Sequence, residues 1–266
     1  MRIYRYRVGE ACYYGEQKDE ETLFRCVRLS HDKFDLKRAG PEDQLADVEL
    51  LPPTAPSKIV CVGRNYSEHA KELGNAPVDE RPLLFLKPPS CLIPHGADFI
   101  MPAGSERVDY EGEIAMVISE RCRNVPEGRA FDFLLGVTAF NDITARDWQK
   151  ADNQWTRAKG CDTFGPCGPY VNTSAAEALR NGGAKVELTV NTFLNGEQVQ
   201  HGSTRDLTFN LGFLISYISS FMTLESGDII ATGTPAGVGP VAAGDEVVVE
   251  LNCGPRLANR ATAAGQ

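Results

Sequence analysis

The run Val108-Asp109-Tyr110-Glu111-Gly112-Glu113-Ile114-Ala115-Met116-Val117-Ile118 constrains this chain more than any other segment. Its second half is apolar and β-branched, the pattern of a strand entering a core. Side chains two apart on a strand share a face, so Glu111 and Glu113 point the same way, on a face that continues through Ala115 and Val117. Two carboxylates carried inward repel each other and lose hydration, so the fold must supply an offset. A divalent cation is the simplest offset. An acidic strand that faces solvent is the alternative.

Phe133-Leu134-Leu135-Gly136-Val137-Thr138-Ala139-Phe140 is a continuous apolar run, as in a strand buried on both faces. It ends in Asn141-Asp142, followed by Ile143-Thr144-Ala145-Arg146-Asp147-Trp148-Gln149. Asp142 is then either a site residue or the N-cap of a following helix. Thr144, with Asp147 three residues on, can take the capping role and leave Asp142 free. Glu111, Glu113 and Asp142 have no Cys or His beside them and make an oxygen-only donor set. Such a set suits Mg²⁺ or Mn²⁺, with Ca²⁺ as an alternative and Zn²⁺ disfavoured. Three protein ligands leave about three positions of an octahedral ion for water or substrate, the habit of a catalytic metal.

A chain of 266 residues with 42% hydrophobic residues can bury a sizeable core, as one large domain or a large one with a small one. Its net charge of −9 and lack of a basic cluster argue against a nucleic-acid surface and an anionic membrane partner. Met1-Arg2-Ile3-Tyr4-Arg5-Tyr6-Arg7 carries charges where a signal peptide needs an apolar block. The most apolar later window, Phe213 to Met222, is too short to span a bilayer. The 8 cysteines lie without C-x-x-C or metal spacing, which reads as reduced, mostly buried thiols in a cytoplasmic protein.

Residues 1–57 read as a small N-terminal β unit closed by a stiff linker, Leu51-Pro52-Pro53-Thr54-Ala55-Pro56, and residues 58–266 as the main domain. Short alternating runs at Arg2 to Tyr6, Ala11 to Tyr14 and Thr22 to Val27 make up the first. In the second, strands are expected at Lys58 to Gly63, Leu83 to Lys87, Lys185 to Val190, Phe193 to Val199 around an Asn195-Gly196 turn, Asp228 to Thr232 and Glu246 to Leu251. Helices are expected at Ser67 to Gly74, around Ser174 to Arg180, and at Leu207 to Phe221. The tail from Asn259 to Gln266 reads as unstructured. Strands outnumber helices without alternating as βαβ units, so the fold class is α+β and β-rich, a sheet rolled or folded on itself.

His69 and Glu72 sit three apart on one face of the short helix, where a carboxylate can orient an imidazole as a general acid–base. An exposed surface pair is the plainer reading. Gly74, Pro77 and Pro82 follow it, as the flanks of a lid would. Lys159, before Gly160, is either a solvated charge or a cation for a substrate carboxylate or developing enolate oxygen. Thr232-Gly233-Thr234-Pro235-Ala236-Gly237-Val238-Gly239-Pro240 is a glycine-rich turn whose N–H groups can hold an anion. It lacks the Lys-Ser/Thr ending of a nucleotide P-loop, which excludes ATP or GTP there.

Gly63-Arg64-Asn65-Tyr66 with His69 and Glu72, the Glu111-x-Glu113 pair, Asp142 in Asn-Asp-x-Thr-Ala-Arg-Asp, Lys159 and Thr232-Gly233-Thr234-Pro235 stand in the order found in the fumarylacetoacetate hydrolase family. Over residues 58 to 255 the chain resembles the branch of acylpyruvases, oxaloacetate decarboxylase/tautomerases and hydroxyhepta-dienedioate isomerase/decarboxylases. The resemblance implies a mixed β-sandwich roll with a small N-terminal β domain, working as a homodimer. It implies that Glu111, Glu113 and Asp142 hold Mg²⁺ or Mn²⁺, and that His69 and Glu72 form a dyad that activates water or shuttles a proton. By the same resemblance Lys159, Gln149 and Thr234, with Gly233 beside it, contact the substrate's carboxylate and keto oxygens, and Arg64 supports the site.

The substrate class so implied is a small 2-oxo acid. Its C3–C4 bond would break by hydrolysis or decarboxylation, or a proton alone would move, as in isomerisation of 5-carboxymethyl-2-hydroxymuconate. Two other readings stay open. A structural Ca²⁺ site without turnover needs neither the His69–Glu72 pair nor Lys159. A metal-dependent phosphoryl hydrolase needs a second metal or more basic phosphate contacts.

Overall fold

The alternating runs at the N-terminus form an antiparallel meander, β1 (Arg2–Val8), β2 (Ala11–Gln17) and β3 (Thr22–Arg28), in a computed structural model that describes residues 1–66 and 80–265. Two strands that the sequence does not announce follow, β4 (Leu36–Gln44) and β5 (Glu49–Leu51). β4 is a polar edge strand carrying Gly40-Pro41, so it lacks the apolar alternation of an inner strand. The Pro-rich linker packs onto the sheet. Thr54 is buried and its hydroxyl donates to Gly227 O at 2.9 Å, while Ser57 N and Lys58 N donate to buried Asp228.

Beyond the linker come β6 (Ile59–Gly63), β7 (Leu83–Lys87), β8 (Leu92–Ile93), β9 (Asp98–Met101), β10 (Val108–Tyr110), β11 (Gly112–Ile118), β12 (Leu134–Asn141), β13 (Thr144–Ala145) and β14 (Gly165–Asn172). The C-terminal part adds β15 (Thr189–Leu194), β16 (Glu197–Ser203), β17 (Ile229–Ala231), β18 (Gly239–Pro240), β19 (Glu246–Leu251) and β20 (Arg256–Ala263). A 12-stranded sheet follows the path β4-β3-β2-β1-β14-β12-β11-β17-β6-β7, with β5 on β1 and β8 on β14. The 5-stranded sheet runs β16-β15-β19-β20-β9 and the 3-stranded one β13-β10-β18. Asn195 and Gly196 turn β15 into β16 with φ of 51° and 86°, the positive pair that a tight hairpin needs.

The helices of the described residues are α1 (Arg146–Ala151), α2 (Thr156–Lys159), α3 (Thr173–Gly182) and α4 (Leu211–Phe221). Asn172 and Asn210 cap α3 and α4 by accepting from Ser174 N and Phe213 N, so α4 starts at Leu211 and not at Leu207. The expected helix Ser67 to Gly74, with His69, Glu72 and the following Pro77, lies outside the described residues.

Ile114, Met116 and Ile118 of β11 face the main core, where they meet Val137 of β12, Val249 of the 5-stranded sheet and Leu214 of α4. Ala115 and Val117 on the other face are buried in separate clusters, the first with Cys61 and Phe140, the second with Ile3 and Val171. Burial on both faces explains the unbroken apolar run after Glu113. Two further sequence expectations about the fold need correction at the C-terminal side. Gly183–Lys185 is a 3-10 turn, and the strand placed at Lys185 begins at Thr189. The tail placed outside regular structure at Asn259 forms β20, held between β19 and β9 with Leu257, Asn259 and Ala261 buried. Its parallel partner β9 lies far earlier in the chain, where no local pattern reveals it.

Candidate active site

The strand expected over Val108 to Ile118 breaks at its first glutamate. β10 belongs to the 3-stranded sheet and β11 to the 12-stranded one, and Glu111 is the residue between them. Glu111 N donates to Asn141 Oδ1 at 2.9 Å and Glu111 O accepts from Asp142 N at 2.8 Å, which ties the end of β12 to the break. One ligand oxygen from each of Glu111, Glu113 and Asp142 lies within 4.8 Å of the others, and all three residues are buried. Gly112 makes this possible from below: a Cβ there would sit 2.0 Å from Thr192 Oγ1 on the 5-stranded sheet.

Among the described residues, three buried cations meet these carboxylates. Lys159 is 1% exposed, which excludes the solvated-charge reading. Its ammonium bridges Glu111 Oε2 at 2.8 Å and Asp142 Oδ2 at 2.6 Å. Arg146 donates Nη2 to Glu111 Oε1 at 2.5 Å, Nε to Asp109 Oδ2 at 2.8 Å and Nη1 to Gln149 Oε1 at 2.6 Å. That last bond occupies the oxygen of the Gln149 amide and leaves its NH₂ end as donor. Lys87 donates to Asp142 Oδ1 at 2.6 Å and to Ile143 O at 3.3 Å. Burial works against the Lys87 charge, but Asp142 outweighs it and the ammonium's pKa ends above its ordinary value.

Glu113 is treated differently. It accepts from Gly233 N at 2.9 Å, and among the described residues no cation pairs with it. Burial, then repulsion from Asp142 and Glu111, pushes its carboxyl well above the usual range. The glycine-rich turn therefore does hold an anion through backbone N–H, and that anion is a side chain of the protein. A buried carboxylate with so little compensation, beside two others, fits a divalent cation bound through oxygen.

The triad opens into a cavity of about 550 Å³ whose walls include Arg64, Phe85, Gln149, Trp155, Lys159 and Thr234. Arg64 holds φ at 58°, a conformation rare outside glycine. Asn65 secures that turn, donating to Thr232 O at 2.8 Å and accepting from Phe209 N at 2.9 Å. Thr234 Oγ1 donates to Gly112 O at 2.9 Å and accepts from Gln200 Nε2 at 2.8 Å, so its proton is already committed. The structure thus brings Glu111, Glu113, Asp142, Lys159, Gln149, Arg64 and Thr234 to one cavity, with Gly233 behind it. His69 and Glu72 lie outside the described residues.

Sequence reasoning assigns no role to Lys87, Asp109, Arg146 or Gln200. Lys87 is the one buried residue of β7, whose other positions are half-buried or exposed, so it lacks the buried-strand signal that marks Asp142. Thr144 is not the helix cap expected of it. It lies in β13, its hydroxyl donates to Asp142 O at 2.8 Å, and α1 starts after Ala145 without a side-chain cap. Asp142 is left to the site all the same.

Residues 58–262 match the family described as fumarylacetoacetate (FAA) hydrolase C-terminal. An uncharacterized protein of Archaeoglobus fulgidus is 52% identical over 212 residues, 80% of this chain and 81% of that one. The mitochondrial oxaloacetate tautomerase of Arabidopsis thaliana is 44% identical over 199 residues, 73% of this chain and 86% of that one. The crystal structure of 2-hydroxyhepta-2,4-diene-1,7-dioate isomerase from Mycobacterium marinum superposes with a TM-score of 0.87 at 36% identity, covering 100% of both chains.

Proposed function

The chain belongs to the fumarylacetoacetate hydrolase family and is an enzyme of it, and from that premise we propose an Mg²⁺- or Mn²⁺-dependent enzyme that cleaves a C–C bond of a 2-oxo acid by hydrolysis or decarboxylation. One observation carries the reading: three buried carboxylates converge within 4.8 Å on a cavity, and Glu113 among them lacks a cation. A divalent ion held by Glu111, Glu113 and Asp142 would polarise the carboxylate and 2-keto oxygens of such an acid and favour the charge that develops as its C3–C4 bond breaks.

The chain's own residues supply the rest. Lys159, desolvated over Phe85 with its ammonium 5.1 Å from the ring centroid, offers a positive charge to the developing enolate oxygen. The NH₂ of Gln149, turned outward by Arg146, donates to a substrate oxygen. Arg64 gives the cavity wall a further positive charge, Thr234 lines the same cavity, and Gly233 behind it holds Glu113. His69 and Glu72 are proposed as the acid–base pair that activates water or moves the proton. We further propose the division into residues 1–57 and 58–266, the rolled β-sandwich arrangement of the latter and a homodimer. Eight unpaired cysteines support a reducing compartment, the cytoplasm.

The test is pyruvate release by purified protein from acetylpyruvate, fumarylpyruvate and oxaloacetate, with and without Mg²⁺, while the enol absorbance is followed. Metal-dependent pyruvate from any of them is the expected result. Loss of enol signal without pyruvate favours the second reading, a tautomerase or isomerase, which the likeness to the Mycobacterium marinum isomerase supports. Neither signal from any of the three overturns cleavage of these acids and points to larger dienedioates, with the metal site left standing.

A further inference from the structure

Of the three buried cations at the site, Arg146 and Lys159 line the cavity and Lys87 does not. The Lys87 side chain is 0% exposed, at the end of β7. It donates to one oxygen of Asp142, Oδ1, and to Ile143 O behind it. Lys159 holds the other oxygen, Oδ2, from the cavity side and shares its ammonium with Glu111. The two lysines are therefore not equivalent. An incoming cation can displace Lys159 into the cavity, whereas Lys87 is enclosed and has nowhere to retreat.

We infer that Lys87 is a specificity-determining residue that reserves Oδ1 of Asp142, so that this ligand offers a divalent ion one oxygen only, and thereby selects small octahedral ions over Ca²⁺. The inference rests on the reading of Glu111, Glu113 and Asp142 as ligands. Mg²⁺ takes six oxygens in a tight octahedron, to which each carboxylate contributes one. Ca²⁺ takes six to eight and readily uses both oxygens of a carboxylate. Withholding Oδ1 thus costs Ca²⁺ a ligand that Mg²⁺ does not use. The positive charge of Lys87 repels all divalent ions alike, so it lowers affinity without discriminating. Selectivity comes from the occupied oxygen.

The experiment compares Mg²⁺, Mn²⁺ and Ca²⁺ binding by calorimetry on EDTA-treated wild-type protein and Lys87→Met. The expected result is that the Ca²⁺-to-Mg²⁺ affinity ratio rises in the variant by about tenfold or more, the range seen when a group supporting a metal ligand is removed. A folded variant whose ratio stays at the wild-type value overturns the role of Lys87 and leaves the metal site standing. Wild-type protein that binds none of the three ions overturns both. Because Lys87→Met leaves a buried carboxylate oxygen unpaired and can fail to fold, crystals of the wild type with Mn²⁺ and with Ca²⁺ give a second reading. Asp142 bound through one oxygen, with Lys87 still on the other, supports the inference. Oδ1 in the coordination sphere of Mn²⁺ sinks it.

Discussion

Burial raises the carboxyl of Glu113 well above the usual range, and Asp142 and Glu111 add repulsion. A group whose folded pKa lies above its unfolded value makes the fold less stable as pH climbs from the unfolded value through the folded one. In EDTA, the melting temperature of Glu113→Gln is therefore expected to gain on the wild type as pH rises above the ordinary glutamate range of about 4. The amide still accepts from Gly233 N, so the comparison isolates the charge. With Mg²⁺ at about 100 times Kd, the wild type gains about 2.7 kcal/mol and the variant gains little. Thermal melts at rising pH, with and without metal, check both statements. A difference that shrinks with rising pH contradicts the first. This residue was readable from sequence because the period of two on a strand is local. Lys87 was not, because a lysine at a strand end looks the same whether solvent or Asp142 receives it.

At the level of elements, the glutamate pair depends on a glycine. A methyl group at Gly112 would lie 2.0 Å from Thr192 Oγ1 and 3.3 Å from Val249 Cγ2, so β11 can cross the 5-stranded sheet this closely only without a side chain there. Gly112→Ala should cost about 1–3 kcal/mol through overpacking, read as a lower urea midpoint. The hydroxyl of Thr192 is buried without a hydrogen-bond partner among the described residues, so Thr192→Ala alone should be close to neutral. Combining them should recover much of the loss, since the second substitution removes the atom in the way. Additive losses in the double variant would show that Gly112 matters for another reason. The strands at Leu83 to Lys87, Leu134 to Phe140 and Glu246 to Leu251 are legible because each is built on an apolar run, Leu83 to Leu86, Leu134 to Phe140 and Val247 to Val249. The break at Glu111 is not, since it exists only because β13 and β18 hold β10 in another sheet. The same is true of β20, whose small residues Ala258, Ala261 and Ala263 carry no strand signal without β9 and β19 beside them.

At the scale of the whole molecule, the first strand is continuous with the sheet that carries the site. β1 pairs Arg2 with Asn172 and Ile3 with Val171 on β14, and β14 lies next to β12, whose last residue precedes Asp142. Ile3, Phe34, Val117 and Val171 form one buried cluster across that seam, and the Tyr4 and Tyr170 rings stand 5.1 Å apart. The composition of residues 1–57 marks a small β unit, but a sequence read locally cannot say which distant strand its edge will meet. Removing residues 1–57 would strip the last part of β14 of its partner and expose Tyr170 and Val171, leaving an open apolar edge of the kind that drives association. A chain of residues 58–266 is therefore expected to aggregate, or to melt well below the full chain, with about 2–4 °C lost per kcal/mol at this size. Size-exclusion profiles and melting curves distinguish the outcomes, and the Mg²⁺-induced shift reports separately on the carboxylate triad. A monodisperse fragment with an unchanged melt would mean that the leading unit only rests on the sheet and that β14 is stable without it.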